Sequence, residues 1–304
     1  MTKTVYPAVA YRDSSSGFNE LNEHIPSLAH TALSERLCIS LRAPSSNGPY
    51  PTSKIQKGPV LVRGSADLSG EGVGLGVPVA KFAHRVVFPG KACLVEQRKD
   101  NHLCMWVVDY ELNLEELVIF KSGKSIRNEN FYRLKEWFAG LHKAIPISRG
   151  LVERGNRAVR FTWGLTTTFE TTPSAGSVRV SYTVDRGEGV LHISVDASRL
   201  SKTRCTEVIL LNEQDGSLFD RYSDSNGVEL VGKEIGTWEE TGADSVTLSD
   251  SSHNITLALR SVAQSTMYRG REVAPGRLSW TGVAYVISPR CVDFDYDITI
   301  REAI

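Results

Sequence analysis

The chain has no excess of either charge: 35 Lys+Arg stand against 35 Asp+Glu in 304 residues, a formal net charge of zero. Nucleic-acid and anionic-membrane binding both draw on a cationic surface, so neither partner is expected. No apolar stretch approaches the ~18 residues that cross a bilayer as a helix. No apolar run of leader length follows Lys3 either, so a secretory leader is not expected. Cysteine is sparse and odd in number. Cys38, Cys93, Cys104, Cys205 and Cys291 are scattered, mostly inside apolar segments, and form no Cys-x-x-Cys pair. That excludes a thiolate zinc site and a disulfide framework, and a reducing cytoplasm is the expected compartment. Low hydrophobicity with high net charge, the signature of disorder, is also missing, since 41% of residues are hydrophobic and 23% charged.

What the chain has in quantity is alternation. Leu37, Ile39 and Leu41 share one face of a short segment, and Val178, Val180, Tyr182 and Val184 alternate with Arg179, Ser181 and Thr183. Leu191, Ile193 and Val195 follow a Gly187-Glu-Gly189 turn. Near the C-terminus Val292, Phe294, Tyr296, Ile298 and Ile300 alternate with Asp293, Asp295, Asp297, Thr299 and Arg301. A period of two with one apolar face marks a strand buried on one side, as in antiparallel sheets. Asp215-Gly216 and Asn226-Gly227 supply turn chemistry and are read as hairpins. Runs between such breaks number about 16 to 20, the spacing of sandwiches and barrels.

Helical period is rare. Phe131, Leu134, Phe138, Leu141 and Ile145 recur at three and four, which predicts one central helix from Asn128 to Ala144, stopped by Pro146. A second candidate, Phe18 to Ala32, is interrupted by Pro26. Neither alternates with strands, so a parallel nucleotide-binding sheet is not expected. The expected architecture is all-β: a large antiparallel two-sheet sandwich with one central helix, forming a single body over residues 1–304. Two consecutive barrel or sandwich halves, dividing near residues 122–150, are the alternative.

Chemistry-bearing motifs are few. Gly70, Gly72, Gly74 and Gly76 recur at every second position, but Val77-Pro78-Val79 continues as extended chain where a phosphate loop would start a helix. On a strand these glycines would share one face and leave a bare strip, fit for tight packing or for a ligand floor, with Gly72 and Gly74 as the candidate contacts. Asp293, Asp295 and Asp297 lie on one face of a strand, too spread to close around a cation, and the seven histidines show no metal spacing. No metal and no cofactor are expected. There is also no Gly-x-Ser-x-Gly elbow.

The more suggestive material couples indoles to charge: Phe161-Thr-Trp163-Gly164, Gly236-Thr-Trp238-Glu239-Glu240 and Arg277-Leu-Ser-Trp280-Thr-Gly282, the last preceded by Tyr268-Arg-Gly-Arg271-Glu272. Indole faces stack on the C–H faces of sugar rings while charged groups pair with hydroxyls. Filling of a large core is the competing reading of these tryptophans, and Trp106 is assigned to the core. In size and strand count the chain resembles the supersandwich of galactose-mutarotase-type and related carbohydrate-active proteins. The resemblance implies a carbohydrate-binding or carbohydrate-modifying protein with its ligand on a sheet face. The candidate contacts are Arg149, Trp163, Trp238, Glu239, Arg271 and Trp280. For proton transfer at a sugar centre the candidate acid–base pair is His142 and Glu272. The alternatives are a non-enzymatic module that homo-oligomerises through sheet edges, and a carrier of an apolar ligand.

Overall fold

A strand with one apolar face needs a second layer to cover that face, so alternation along the chain predicts stacked sheets. The computed structural model describes residues 27–42, 57–64, 66–70, 72–82, 85–100, 102–112, 115–121, 124–126, 165–171, 176–200, 205–273, 279–291 and 293–302. In chain order the strands are β1 (Ser27–Ala32), β2 (Leu37–Arg42), β3 (Pro59–Arg63), β4 (Ala66–Asp67), β5 (Gly74–Phe82), β6 (Arg85–Val87), β7 (Pro89–Lys99) and β8 (Leu103–Leu112). Next come β9 (Glu115–Lys121), β10 (Lys124–Ile126), β11 (Leu165–Thr171), β12 (Ser177–Asp185), β13 (Val190–Asp196), β14 (Cys205–Asp215), β15 (Arg221–Asp224) and β16 (Glu229–Val231). The last six are β17 (Glu239–Glu240), β18 (Ser245–Asp250), β19 (Ile255–Arg260), β20 (Ser265–Val273), β21 (Ser279–Ile287) and β22 (Asp293–Glu302).

The chain divides into two units. Met1–Leu112 and Ser174–Ile304 form the larger, and Asn113–Pro173 the smaller. Among its described residues the smaller unit contains a three-stranded sheet, β10-β9-β11. The larger holds a four-stranded sheet in sequence order, a nine-stranded sheet ordered β16-β15-β18-β19-β22-β13-β12-β8-β7, and a six-stranded sheet ordered β17-β20-β21-β14-β5-β6. All pairings among the described residues are antiparallel.

The nine- and six-stranded sheets face one another. Tyr285 on β21 packs its ring on Tyr296 of β22 at a centroid distance of 4.7 Å and on Phe294 at 5.7 Å. The alternating segments behave as the sequence predicts. Val178, Val180, Tyr182 and Val184 are fully buried, as are Leu191 and Ile193, while His192 points outward to Asp297 at 2.7 Å. Asp293, Asp295 and Asp297 form the exposed side of β22. Trp106 is 0% exposed, in the core. Of the cysteines, Cys104 and Cys205 are buried, Cys38 and Cys291 half-buried and Cys93 exposed. The edge strand β7 breaks register twice and displays Glu96, Arg98 and Lys99 to solvent, which discourages edge-to-edge pairing.

Two expectations are corrected. The segment Phe18 to Ala32 is not a helix over its described part: Ser27–Ala32 pairs with β2, because Ala29 and Thr31 are buried around an exposed His30. Asp215-Gly216 is no hairpin either. β14 belongs to the six-stranded sheet and β15 to the nine-stranded one, so this turn carries the chain from one layer to the other. Asn226-Gly227, by contrast, closes the β15–β16 hairpin, with Gly227 at φ +80°. The central helix Asn128–Ala144 lies outside the described residues. Among those described, helix is confined to the 3-10 turn Gly232–Ile235, and no helix is long and apolar enough to cross a membrane.

The Gly70–Gly76 repeat does not form a flat strip. Gly70 sits in a turn, and β5 opens on Gly74 and Gly76 with φ of +84° and +67°. Left-handed residues break the pleat, and one extra residue enters β5 where Leu211 pairs with Val77 but Glu213 with Gly74. This bulge turns the Gly76 peptide into a junction between layers. Its carbonyl accepts from the Tyr182 hydroxyl at 2.9 Å, itself paired with the Tyr110 hydroxyl at 2.8 Å. Its N–H donates to Asn212 Oδ1 at 2.9 Å, and the same oxygen accepts from the Tyr296 hydroxyl at 3.0 Å. Burial holds all three phenols well above their usual pKa, so they stay neutral donors.

Candidate functional site

Residues directly opposite in an antiparallel pair share a face, so register alone sorts the candidate residues. Across β14, β21 and β20 the rows are Glu213–Gly282–Gly270, then Gln214–Thr281–Arg271, then Asp215–Trp280–Glu272. The middle row points inward, to the face that carries Tyr285 and Asn212; the outer two rows point away from the nine-stranded sheet.

The outward face assembles an indole, two carboxylates and bare backbone. Trp238 precedes β17 and lies on Gly270, where a Cβ would come within 2.6 Å of the ring. Its Nε1–H donates to Glu272 Oε1 at 2.6 Å, and Trp280 stands beside Glu272 as its cross-strand neighbour. Glu213 leans over Gly282, its Cγ 2.9 Å from where a Cβ would sit, and its Oε2 accepts from the Val73 N–H at 3.1 Å. Glu213 and Glu272 are 1% and 6% exposed, Trp238 and Trp280 5% and 2%. From strand spacing and rise the two glutamates stand about 12 Å apart at Cα. Beyond Trp238 the face continues into an apolar cluster of Val73, Val77, Val79, Ile209, Leu211 and Ala284.

The candidate set therefore divides. Trp238, Glu272 and Trp280 come together. Gly72 joins them through its backbone contact with Glu213, its absent Cβ lying 2.9 Å from the Glu213 carbonyl carbon. Gly74 is set apart, with the Pro59 carbonyl 2.7 Å from its Cβ position. Arg271 and Glu239 sit on the opposite, inward face. There Glu239 Oε2 pairs with Arg269 Nη2 at 3.3 Å, and the Arg269 guanidinium lies 5.2 Å from the centre of the Tyr222 ring. Burial and the hydrogen bond to Asp224 push the Tyr222 phenol up, so it faces Arg269 as a neutral ring. His142, Arg149 and Trp163 lie outside the described residues. Among the described residues no three His, Cys, Asp or Glu side chains are grouped to hold a metal ion.

Glu213, Gln214 and Thr281 were not among the candidates. Leu211-Asn-Glu-Gln-Asp215-Gly216 looks in sequence like a strand running out into a solvated turn. In the structure the strand stays covered up to Gln214: Asn212, Glu213 and Gln214 are 2%, 1% and 0% exposed, and only Asp215 at its end is half-buried. The only signal was length, since three consecutive polar residues exceed what a two-residue turn requires.

No protein-family model matches the chain, and no curated protein matches it in sequence. Among solved structures it is similar to the alpha-N-acetylgalactosaminidase NagBb from Bifidobacterium bifidum in complex with GalNAc, at 10% identity and a TM-score of 0.47. That match covers 91% of this chain but 36% of the other, so the chain spans about a third of that enzyme's length. It is also similar to HI1317, at 9% identity and a TM-score of 0.36 over 90% of this chain and 100% of that one. The Slr1438 protein from Synechocystis sp. PCC 6803 matches at 7% identity and a TM-score of 0.39, over 95% and 100%. At these scores and identities no similarity assigns a family or an activity.

Proposed function

We propose that the chain binds a saccharide at the end of the six-stranded sheet, on its outward face. The observation that carries this reading is the convergence of Trp238, Trp280 and Glu272 on one patch, with the Trp238 indole N–H held by the Glu272 carboxylate at 2.6 Å. An indole offers a flat apolar surface to a sugar ring, and a carboxylate accepts from its hydroxyls. Glu213 supplies a second carboxylate across the side-chain-free Gly270–Gly282 step. Both carboxylates are buried, so the ligand reaches them by displacing what covers the patch. Glu272 keeps the role of proton-transferring group if the ligand is a substrate.

The test is titration calorimetry with glucose, galactose, N-acetylglucosamine, lactose and maltose, on the wild type and on Glu272→Gln. The amide oxygen of Gln still accepts from Trp238, so the fold is retained while the charge is lost. A hydrogen bond to a charged group contributes about 1.5–3 kcal/mol, so the variant binds roughly tenfold to a hundredfold more weakly. Unchanged affinity in Glu272→Gln, or no heat from any sugar, would end the proposal.

A further inference from the structure

The middle row of the same sheet faces the sandwich interior, and it is rich in donors that the chain leaves unanswered. Gln214, Thr281 and Arg271 stand side by side on β14, β21 and β20. Gln214 and Thr281 are 0% exposed. Neither amide atom of Gln214, nor Thr281 Oγ1, nor Nε or Nη1 of Arg271 meets a hydrogen-bond partner, although all are buried. The Arg271 guanidinium reaches Ser279 Oγ through Nη2 at 3.1 Å, a hydroxyl and not a carboxylate. Its neighbour on the same face is built differently: Arg269 has Glu239, the Ile235 carbonyl and the Tyr222 ring. Buried polar groups are almost always paired, and Arg271, half-buried as a residue, keeps Nε and Nη1 out of water without a counter-charge, which is costly.

We infer that this row is a binding site for a small oxyanion, carboxylate or tetrahedral. Guanidinium, amide and hydroxyl donors outnumber the acceptors in the row, and an anion of acceptor oxygens is the complement. No side chain enters the row at Gly216, whose backbone passes close to both hydroxyls: a Cβ there would lie 2.9 Å from Ser279 Oγ and 3.0 Å from Thr281 Oγ1. Entry is short. Val273, the next residue of β20 on this face, is 58% exposed, so solvent is one step along the strand from the row. The site does not depend on the saccharide reading, which concerns the other face.

Thermal unfolding measures it, with sodium sulfate, sodium phosphate and sodium acetate each titrated against sodium chloride at constant ionic strength. At a hundredfold excess over Kd the wild-type midpoint rises by roughly 5 °C or more and saturates. A response to sulfate or phosphate alone assigns a tetrahedral anion, and a response to acetate alone a carboxylate. Arg271→Met abolishes the saturating response. Thr281→Val, which keeps shape and removes one donor, weakens the apparent affinity, and it decides the matter should Arg271→Met fail to fold. A wild type that responds to none of the three, or only linearly as excluded salts act on any protein, overturns the inference. So does a saturating response unchanged in both variants.

Discussion

Asn212→Leu is expected to destabilise the larger unit by about 3–5 kcal/mol, although the two side chains are close in size. Asn212 is 2% exposed, and its Oδ1 accepts from both the Gly76 N–H and the Tyr296 hydroxyl, while its Nδ2 donates to the Val283 carbonyl at 3.3 Å. Leucine leaves two buried donors without an acceptor, at about 1–3 kcal/mol each, and removes the third bond as well. The cost belongs to the stranded groups and not to the lost volume, which gives the prediction a second arm. Adding Tyr296→Phe to Asn212→Leu removes one stranded hydroxyl, so the double variant is less unstable than the sum of the two single ones by about 1 kcal/mol or more. Urea unfolding of the four proteins measures the coupling. Strict additivity, or a single variant within 1 kcal/mol of wild type, would show that the junction does not bind the layers together.

The second large effect is at Gly76. A Cβ there would lie 2.9 Å from Ile193 Cδ1 and 2.9 Å from Tyr182 Cε1, on a backbone held at φ +67°. Left-handed backbone costs an alanine about 1–2 kcal/mol, and forcing a methyl into a close-packed interior costs about 1–3 more. Gly76→Ala therefore loses roughly 2–5 kcal/mol. Gly227→Ala is the internal control, because Gly227 shares the left-handed backbone at φ +80° but has nothing within 4 Å of its Cβ position. That variant loses only the backbone contribution, and the difference in urea midpoint between the two isolates the packing. Equal losses would mean that Gly76 is a turn residue and not a seam between sheets.

These two residues mark the limits of what could be read in the sequence. Strands with one solvated face were legible, since Val178–Val184, Leu191–Val195 and Phe294–Ile300 bury every second residue. The pairing of layers was not, because it depends on polar residues that look like loop. Asn212, Glu213 and Gln214 sit at the end of an apolar strand before Asp215-Gly216, a dipeptide equally at home in a hairpin or in a crossover between sheets. Local propensity cannot separate those outcomes; the partner strands, β21 on one side and β18 on the other, decide. The same holds for the glycines. Period-two spacing suggested a flat strip, whereas positive φ at Gly74 and Gly76 makes a bulge, and φ is not written in the residue type. At the candidate site, indoles flanked by charge drew attention to Trp238, Glu272 and Trp280. Once both residues lie on β20, alternation sends Arg271 to the face opposite Glu272, and register names the neighbours each one meets.

The saccharide reading is tested most directly at the indole N–H of Trp238. In two-dimensional proton–nitrogen spectra its resonance is identified by its loss in Trp238→Phe, with the fully buried Trp106 as a fixed reference. Titration with the five sugars is expected to shift the Trp238 resonance in a saturable way for at least one of them, with the shift diminished in Glu272→Gln. A Trp238 resonance that stays in place through all five titrations would contradict the proposed site.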